Sequence, residues 1–79
     1  MPTLLHEPRA IDVRCAENKL FVTLTDRREI AVPLDWFPRL QQASAAQRER
    51  YRLIGDGTGI RWDDIDEDIS VPGLFGLPD

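Results

Sequence analysis

Ile11-Asp12-Val13-Arg14-Cys15-Ala16-Glu17-Asn18-Lys19-Leu20-Phe21-Val22-Thr23-Leu24 is the stretch whose reading decides the fold. Ile11, Val13 and Cys15 alternate with Asp12 and Arg14, the period-two pattern of a strand with one face on a core. Leu20, Val22 and Leu24 resume the alternation after Glu17-Asn18. That pair reads as a two-residue turn, because Asn accepts positive φ more readily than most residues. Thr23 and Thr25 fall on the outer face. Phe21 falls there too, and its ring needs cover from the chain's own N-terminal segment or from a partner.

A third strand follows, with Ile30, Val32 and Leu34 inward and Glu29 and Ala31 outward. Asp26-Arg27 stands at the second turn, where tight hairpins favour Asn-Gly or Asp-Gly. Arg27 lacks glycine's freedom at positive φ, so a longer turn or local strain is expected. Pro33 has no N–H to give to a ladder, which puts the end of this strand at an edge or leaves it unpaired. The outcome is a three-stranded antiparallel meander.

Leu34-Asp35-Trp36-Phe37-Pro38-Arg39-Leu40 then reads as the start of a short, very apolar helix running to about Ala43. Asp35 can cap it, and Pro38 is tolerated in a first turn that needs no intrahelical donor. Trp36, Leu40 and Ala43 share one helical face, expected to cover the sheet. Ser44 with Gln47 fits a capping box at the start of a second, solvent-facing helix over residues 45–51. Residues 51–54 return to strand character, residues 55–59 are a turn by composition, and residues 60–62 are a short strand, together a small hairpin. Residues 63–68 read as an acidic turn with Ile65 inward. Ile69, Val71, Leu74, Phe75 and Leu77 close the chain as one helical turn. Residues 1–8, with Pro2 and Pro8, are an extended lead-in. The fold class is α+β in one domain over residues 1–79: a meander, a short helical segment, a C-terminal hairpin and a terminal helical turn.

The bulk numbers narrow the function. Ten Lys and Arg against fourteen Asp and Glu give a net charge of -4. That balance argues against direct nucleic-acid binding, which depends on a basic face. Cys15 is the only cysteine, so no disulfide forms within the chain and the cytoplasm is the expected compartment. No signal peptide and no membrane span is legible. Arginines crowd the middle of the chain, whereas residues 63–68 hold five carboxylates in six positions. Such polarity is ordinary solvated surface or orients a charged protein partner.

A calcium loop needs oxygen ligands at positions one, three and five, Gly at six and Glu at twelve. Beginning at Asp64 places Ile69 at six and Phe75 at twelve; beginning at Asp56 places Ile60 at five and Arg61 at six. Neither register works, so a solvated turn is expected and no metal. Gly55-Asp56-Gly57-Thr58-Gly59 is glycine-rich like a phosphate cradle, but a strand rather than a helix follows it. His6 stands alone in the lead-in, and Cys15 alternates inward as an inert core thiol. No cofactor, no catalytic residue and no enzymatic activity is expected.

Trp36, Phe37, Arg39 and Trp62 are of the types that dominate interfaces. The plainer reading places both tryptophans in the core and leaves Arg39 exposed. The candidate partner-binding set is Trp36, Phe37, Arg39 and Trp62 with Asp63, Asp64, Asp66, Glu67 and Asp68. An open sheet edge offers a further docking route by strand addition.

Trp36-Phe37-Pro38-Arg39-Leu40, the Gly-Asp-Gly-Thr-Gly-Ile-Arg-Trp hairpin at 55–62, and Asp66-Glu67-Asp68-Ile69-Ser70-Val71 followed by Gly73-Leu74 resemble a family of small bacterial proteins known as a domain of unknown function. The resemblance covers residues 11–76 and implies the same compact α+β arrangement. Some relatives are fused to a helix-turn-helix DNA-binding domain. Others are encoded beside a second small protein, as in toxin–antitoxin pairs, which implies a partner-binding or regulatory role by association. Two departures stand out: Arg27 replaces the usual turn glycine, and no helix-turn-helix segment follows residue 79. The family carries no established catalytic residues.

The function expected is therefore a non-enzymatic, bacterial protein-interaction module, the antitoxin-like or regulatory member of a two-protein pair. Its partner would be a protein, first of all a neighbouring gene's product, with a homodimer also open; no membrane and no direct nucleic-acid contact is expected. The alternative is an acidic decoy of a nucleic-acid-binding protein, of the kind phages use, and the second alternative is a small enzyme or metal protein.

Overall fold

In the computed structural model, which describes residues 8–75, the first alternation forms strands β1 (Ala10–Ala16), β2 (Lys19–Leu24) and β3 (Glu29–Pro33). They pair as the expected antiparallel meander in the order β1-β2-β3. Glu17 and Asn18 both take positive φ, 53° and 63°, the backbone whose twist suits a two-residue hairpin. The second turn is longer. Leu24 accepts from Arg27 N–H and donates to Arg28 O, and Arg27 sits at φ 76°, where glycine is the usual residue.

One expectation on β1 is corrected. Val13 is buried and Cys15 half-buried, but Ile11 is 50% exposed. The register shifts between Ala10 and Asp12, so Ala10 opposes Leu24 and Asp12 opposes Thr23, with Ile11 the extra residue of a bulge. A bulge breaks strict alternation, and Ala10 takes the inward place. On the outer face Phe21 lies opposite Arg14, whose guanidinium covers its ring at 4.1 Å. A charged neighbour on the adjacent strand supplies cover.

The helix expected over residues 36–43 is broken in two. Leu34–Trp36 is a 3₁₀ turn and α1 is Pro38–Gln42. Phe37 between them has φ -131° and ψ 83°, because a residue preceding proline is driven out of the α region. Phe37 therefore occupies the N-cap position, and Asp35 does not cap α1. The break turns Leu34 and Leu40 into the core with no exposed surface, while Trp36 points out at 59% exposure. The expectation that Trp36 covers the sheet is corrected. α2 (Ala45–Glu49) has the Ser44–Gln47 capping box complete, and it ends before Tyr51.

The second half of the chain is also more regular than expected. Beside β4 (Tyr51–Ile54) and β5 (Gly59–Trp62), residues assigned to the acidic turn and the terminal segment form a third strand, β6 (Glu67–Ser70). The sheet order is β4-β5-β6, with Arg61 opposite Asp68 and Ile60 opposite Ile69. The acidic turn shrinks to residues 63–66, with Ile65 packed partly onto the core. Pro72–Phe75 is the expected terminal turn, of 3₁₀ type. His6, Leu77 and most of the expected lead-in lie outside the described residues.

One core joins both sheets. Val13, Leu20, Val22, Leu24, Val32, Leu34 and Leu40 meet Ile60, Trp62, Ile69 and Val71. Polar ties reinforce the junction. Trp62 Nε1–H donates to Arg48 O at 3.0 Å, and Arg48 Nε donates to Leu40 O at 3.0 Å. Among the described residues no helix is long and apolar enough to cross a membrane.

Candidate interaction surface

The outer face of the second sheet organises the charged residues. Alternation along β4, β5 and β6 puts Arg52, Arg61 and Asp68 side by side. Arg61 is the hub: Nη2 donates to Asp66 at 2.7 Å, Nε to Asp63 at 3.1 Å and Nη1 to Asp68 at 3.1 Å. Arg52 adds a two-pronged contact to Asp63, Nε at 2.8 Å and Nη2 at 3.3 Å. Arg50 pairs with Asp64 at 3.0 Å. The fork of a guanidinium matches a carboxylate with two parallel bonds, and the result shows in the acidities. Hydrogen bonds from Arg52 and then Arg61 hold the Asp63 carboxyl at about 2. The hydrogen bond from Arg61 lowers Asp66. The contacts with Asp66 and Asp63 raise Arg61 further above its ordinary value.

The acidic stretch is thus neutralised from within. Asp63, Asp64, Asp66 and Asp68 each have an arginine partner. Glu67 stands opposite Trp62 at the head of β6, half-buried. Exposed ion pairs contribute little to stability, commonly below about 1 kcal/mol each. Their consequence is a fixed pattern of alternating charge. Among the described residues no group of three or more His, Cys, Asp or Glu is placed to hold a metal ion.

Arg39 connects this network to the aromatic turn. From the first turn of α1 its Nη1 donates to Asp66 O and lies 3.8 Å from Asp66 Oδ2. Chain positions far apart, Trp36-Phe37-Arg39 and the 63–66 turn, therefore make one continuous surface. Trp36 and Phe37 meet edge to face with ring centroids 6.5 Å apart. Phe37 is half-buried against the core. Buried Leu34 and Leu40 flank the pair in sequence, so the exposed indole is carried on a well-anchored segment.

Of the sequence-derived contact residues, the fold brings Trp36, Phe37, Arg39, Asp64 and Asp66 to this surface or its margin. Asp63 and Asp68 belong to the arginine network on the sheet face. Trp62 is fully buried, its ring tilted against Tyr51 at 6.4 Å, and has no surface to offer a partner. Missed from the sequence were Arg50, Arg52 and Arg61 as counter-charges. Their signal was the alternation of Arg52 and Arg61 with Tyr51, Leu53, Ile60 and Trp62. Residues 55–57 form a 3₁₀ turn leading into β5, so no helix N-terminus follows to complete a phosphate cradle.

A family model described as "Protein of unknown function (DUF2442)" matches residues 10–77. The chain is also similar to a solved structure described as a protein of unknown function from Rhodospirillum rubrum ATCC 11170. The two share 32% sequence identity and superpose with a TM-score of 0.77, covering 91% of this chain and 90% of that one. Comparison with curated proteins finds no match.

Proposed function

As the chain belongs to the DUF2442 family, whose description names no activity, we propose from the surface itself that it is a non-enzymatic protein-interaction module, the antitoxin-like or regulatory member of a two-protein pair. The observation that carries this reading is Trp36, 59% exposed on a segment held at either end by the buried Leu34 and Leu40. Ordering an aromatic contact in advance removes an entropy cost from binding, and Trp beside Arg is the composition of interface hot spots. Arg39 supplies the charged neighbour. Its bond to a backbone carbonyl and its 3.8 Å approach to Asp66 leave donors for a partner's acceptor.

The acidic-decoy alternative has less support. A decoy needs unneutralised negative charge, and four of its five carboxylates are paired with arginines. The test is co-expression of the tagged chain with the product of the neighbouring gene. Co-purification is expected for the wild type, and Trp36→Ala or Arg39→Ala should reduce retention by about tenfold or more. Equal retention of the Trp36→Ala/Arg39→Ala double variant would sink the assignment.

A further inference from the structure

The turn joining β4 to β5 carries Asp56-Gly57, and its backbone runs left-handed through three residues in succession: φ is 57° at Gly55, 57° at Asp56 and 92° at Gly57. Two bonds to one acceptor close it. Thr58 N–H and Thr58 Oγ1–H donate to Gly55 O at 3.1 Å and 2.7 Å. Gly57 is buried against the Ala10 backbone, and Val71 N–H donates to Thr58 O at 2.8 Å. The turn is thus tied to the bulged end of β1 and to the segment after β6. Asp56 itself is exposed, and among the described residues its carboxyl has no hydrogen-bond or ion-pair partner.

An aspartyl carboxyl followed by glycine has one reaction open to it without any further reagent. The Gly57 nitrogen adds to Asp56 Cγ, the carboxyl C–O bond breaks, and water leaves with the amide proton. The five-membered succinimide takes the water back at either carbonyl. Opening at Cγ restores aspartate; opening at the α-carbonyl leaves isoaspartate, whose main chain runs through Cβ and is one carbon longer. Glycine favours the step because no Cβ crowds the attacking nitrogen. Ring closure requires Gly57 N to eclipse Asp56 Cβ about the Cα–C bond. Asp56 has ψ 32°. Tetrahedral geometry at Cα sets Cβ about 120° from the backbone nitrogen around that bond, so Gly57 N stands roughly 150° from Cβ, nearly opposite it. Closure needs ψ of about -120°, and at positive φ that pairing is the one glycine fills in type II′ turns. Both angles of Asp56 must therefore change, which breaks the turn.

We propose that Asp56 is an isoaspartate-forming site that the left-handed turn keeps closed, reacting only after Gly57 has left the Ala10 backbone. The extra chain carbon then bars its return: a contact with no room for a Cβ has none for a lengthened main chain. The modification is a one-way record of openings between the two sheets, and it does not depend on the Trp36 surface.

The test ages the full chain at neutral pH, warmed but below its Tm, and measures isoaspartate in the tryptic peptide 53–61, where Asp56 is the sole carboxylate side chain. A synthetic peptide of the same sequence, aged alongside, sets the unrestrained rate. The folded chain is expected to react about tenfold or more slowly than the peptide. Thr58→Val removes one of the two bonds closing the turn, leaves Asp-Gly intact, and should raise the rate several-fold. Urea below the unfolding midpoint should do the same to the wild type, which keeps the test open if Thr58→Val fails to fold. Amide exchange at Thr58 and Val71 should quicken in step. Equal rates in chain and peptide, a rate moved by neither Thr58→Val nor urea, or isoaspartate gathering while those amides stay protected would each overturn the proposal.

Discussion

Gly57 lies directly against the backbone of Ala10: a Cβ placed on it would come within 2.5 Å of the Ala10 carbonyl oxygen and 3.1 Å of its nitrogen. This contact brings the turn before β5 against the bulged end of β1, so it sets how the two sheets approach. Gly57 also has φ 92°, which L side chains rarely adopt. Gly57→Ala should therefore destabilise the protein by about 2–5 kcal/mol, combining backbone strain with overpacking. Chemical denaturation measures it. A loss below about 1 kcal/mol would mean the two sheets can separate here at little cost.

Arg27 presents the opposite case. It holds φ 76° with its side chain exposed, so nothing in the packing requires an arginine there. Arg27→Gly relieves the left-handed penalty of about 1–2 kcal/mol, and the greater freedom of glycine in the unfolded chain offsets part of that gain. A net stabilisation of about 0.5–1 kcal/mol is expected, raising Tm by several degrees for a domain of this size. An unchanged or lowered Tm would mean that Arg27 makes a contribution beyond the turn.

The two tryptophans should separate cleanly. Trp62 is fully buried and Trp36 is not. Trp62→Ala should cost about 3–5 kcal/mol, a large share of the roughly 5–15 kcal/mol that keeps a domain folded. Trp36→Ala should change stability by less than about 0.5 kcal/mol. In fluorescence, Trp36→Phe should leave a blue-shifted emission resistant to aqueous quencher, and Trp62→Phe a red-shifted emission open to it. The reverse assignment would remove the basis of the proposed interaction surface.

Acid should loosen the charged network in a defined window. The Asp63 carboxyl is held at about 2, below its ordinary value of 3.8, by hydrogen bonds from Arg52 and Arg61. Asp66 is also lowered, first by Arg61. A depressed folded value means the carboxylate's contribution is complete above the unfolded value and is lost as pH falls through the folded one. Stability should therefore fall between about pH 4 and pH 2, and Asp63→Asn should flatten that slope. High salt should do the same, because these pairs are exposed and screened. A pH profile identical for wild type and Asp63→Asn would show that the network contributes nothing to folding.

Much of this fold was written in short-range signals, and some of it was not. The alternation of β2 and β3, the Glu17-Asn18 turn, the strained position of Arg27 and the Ser44–Gln47 capping box each depend on residues a few places apart. Each could therefore be read from the chain alone, and so could the α+β class and the exposure of Arg39. The tertiary structure decided the rest. Ile11 leaves the core because a bulge lets Ala10 take the inward place, where Gly57 meets its backbone. Trp36 turns outward because Phe37, preceding Pro38, interrupts the helix that would have carried it in. β6 was hidden because Glu67-Asp68-Ile69-Ser70 carries one core apolar residue, and its strand form comes from pairing with β5. The arginine partners of the acidic turn were hidden for the same reason. A sequence shows like charges clustered along the chain, whereas pairing across strands is set by register.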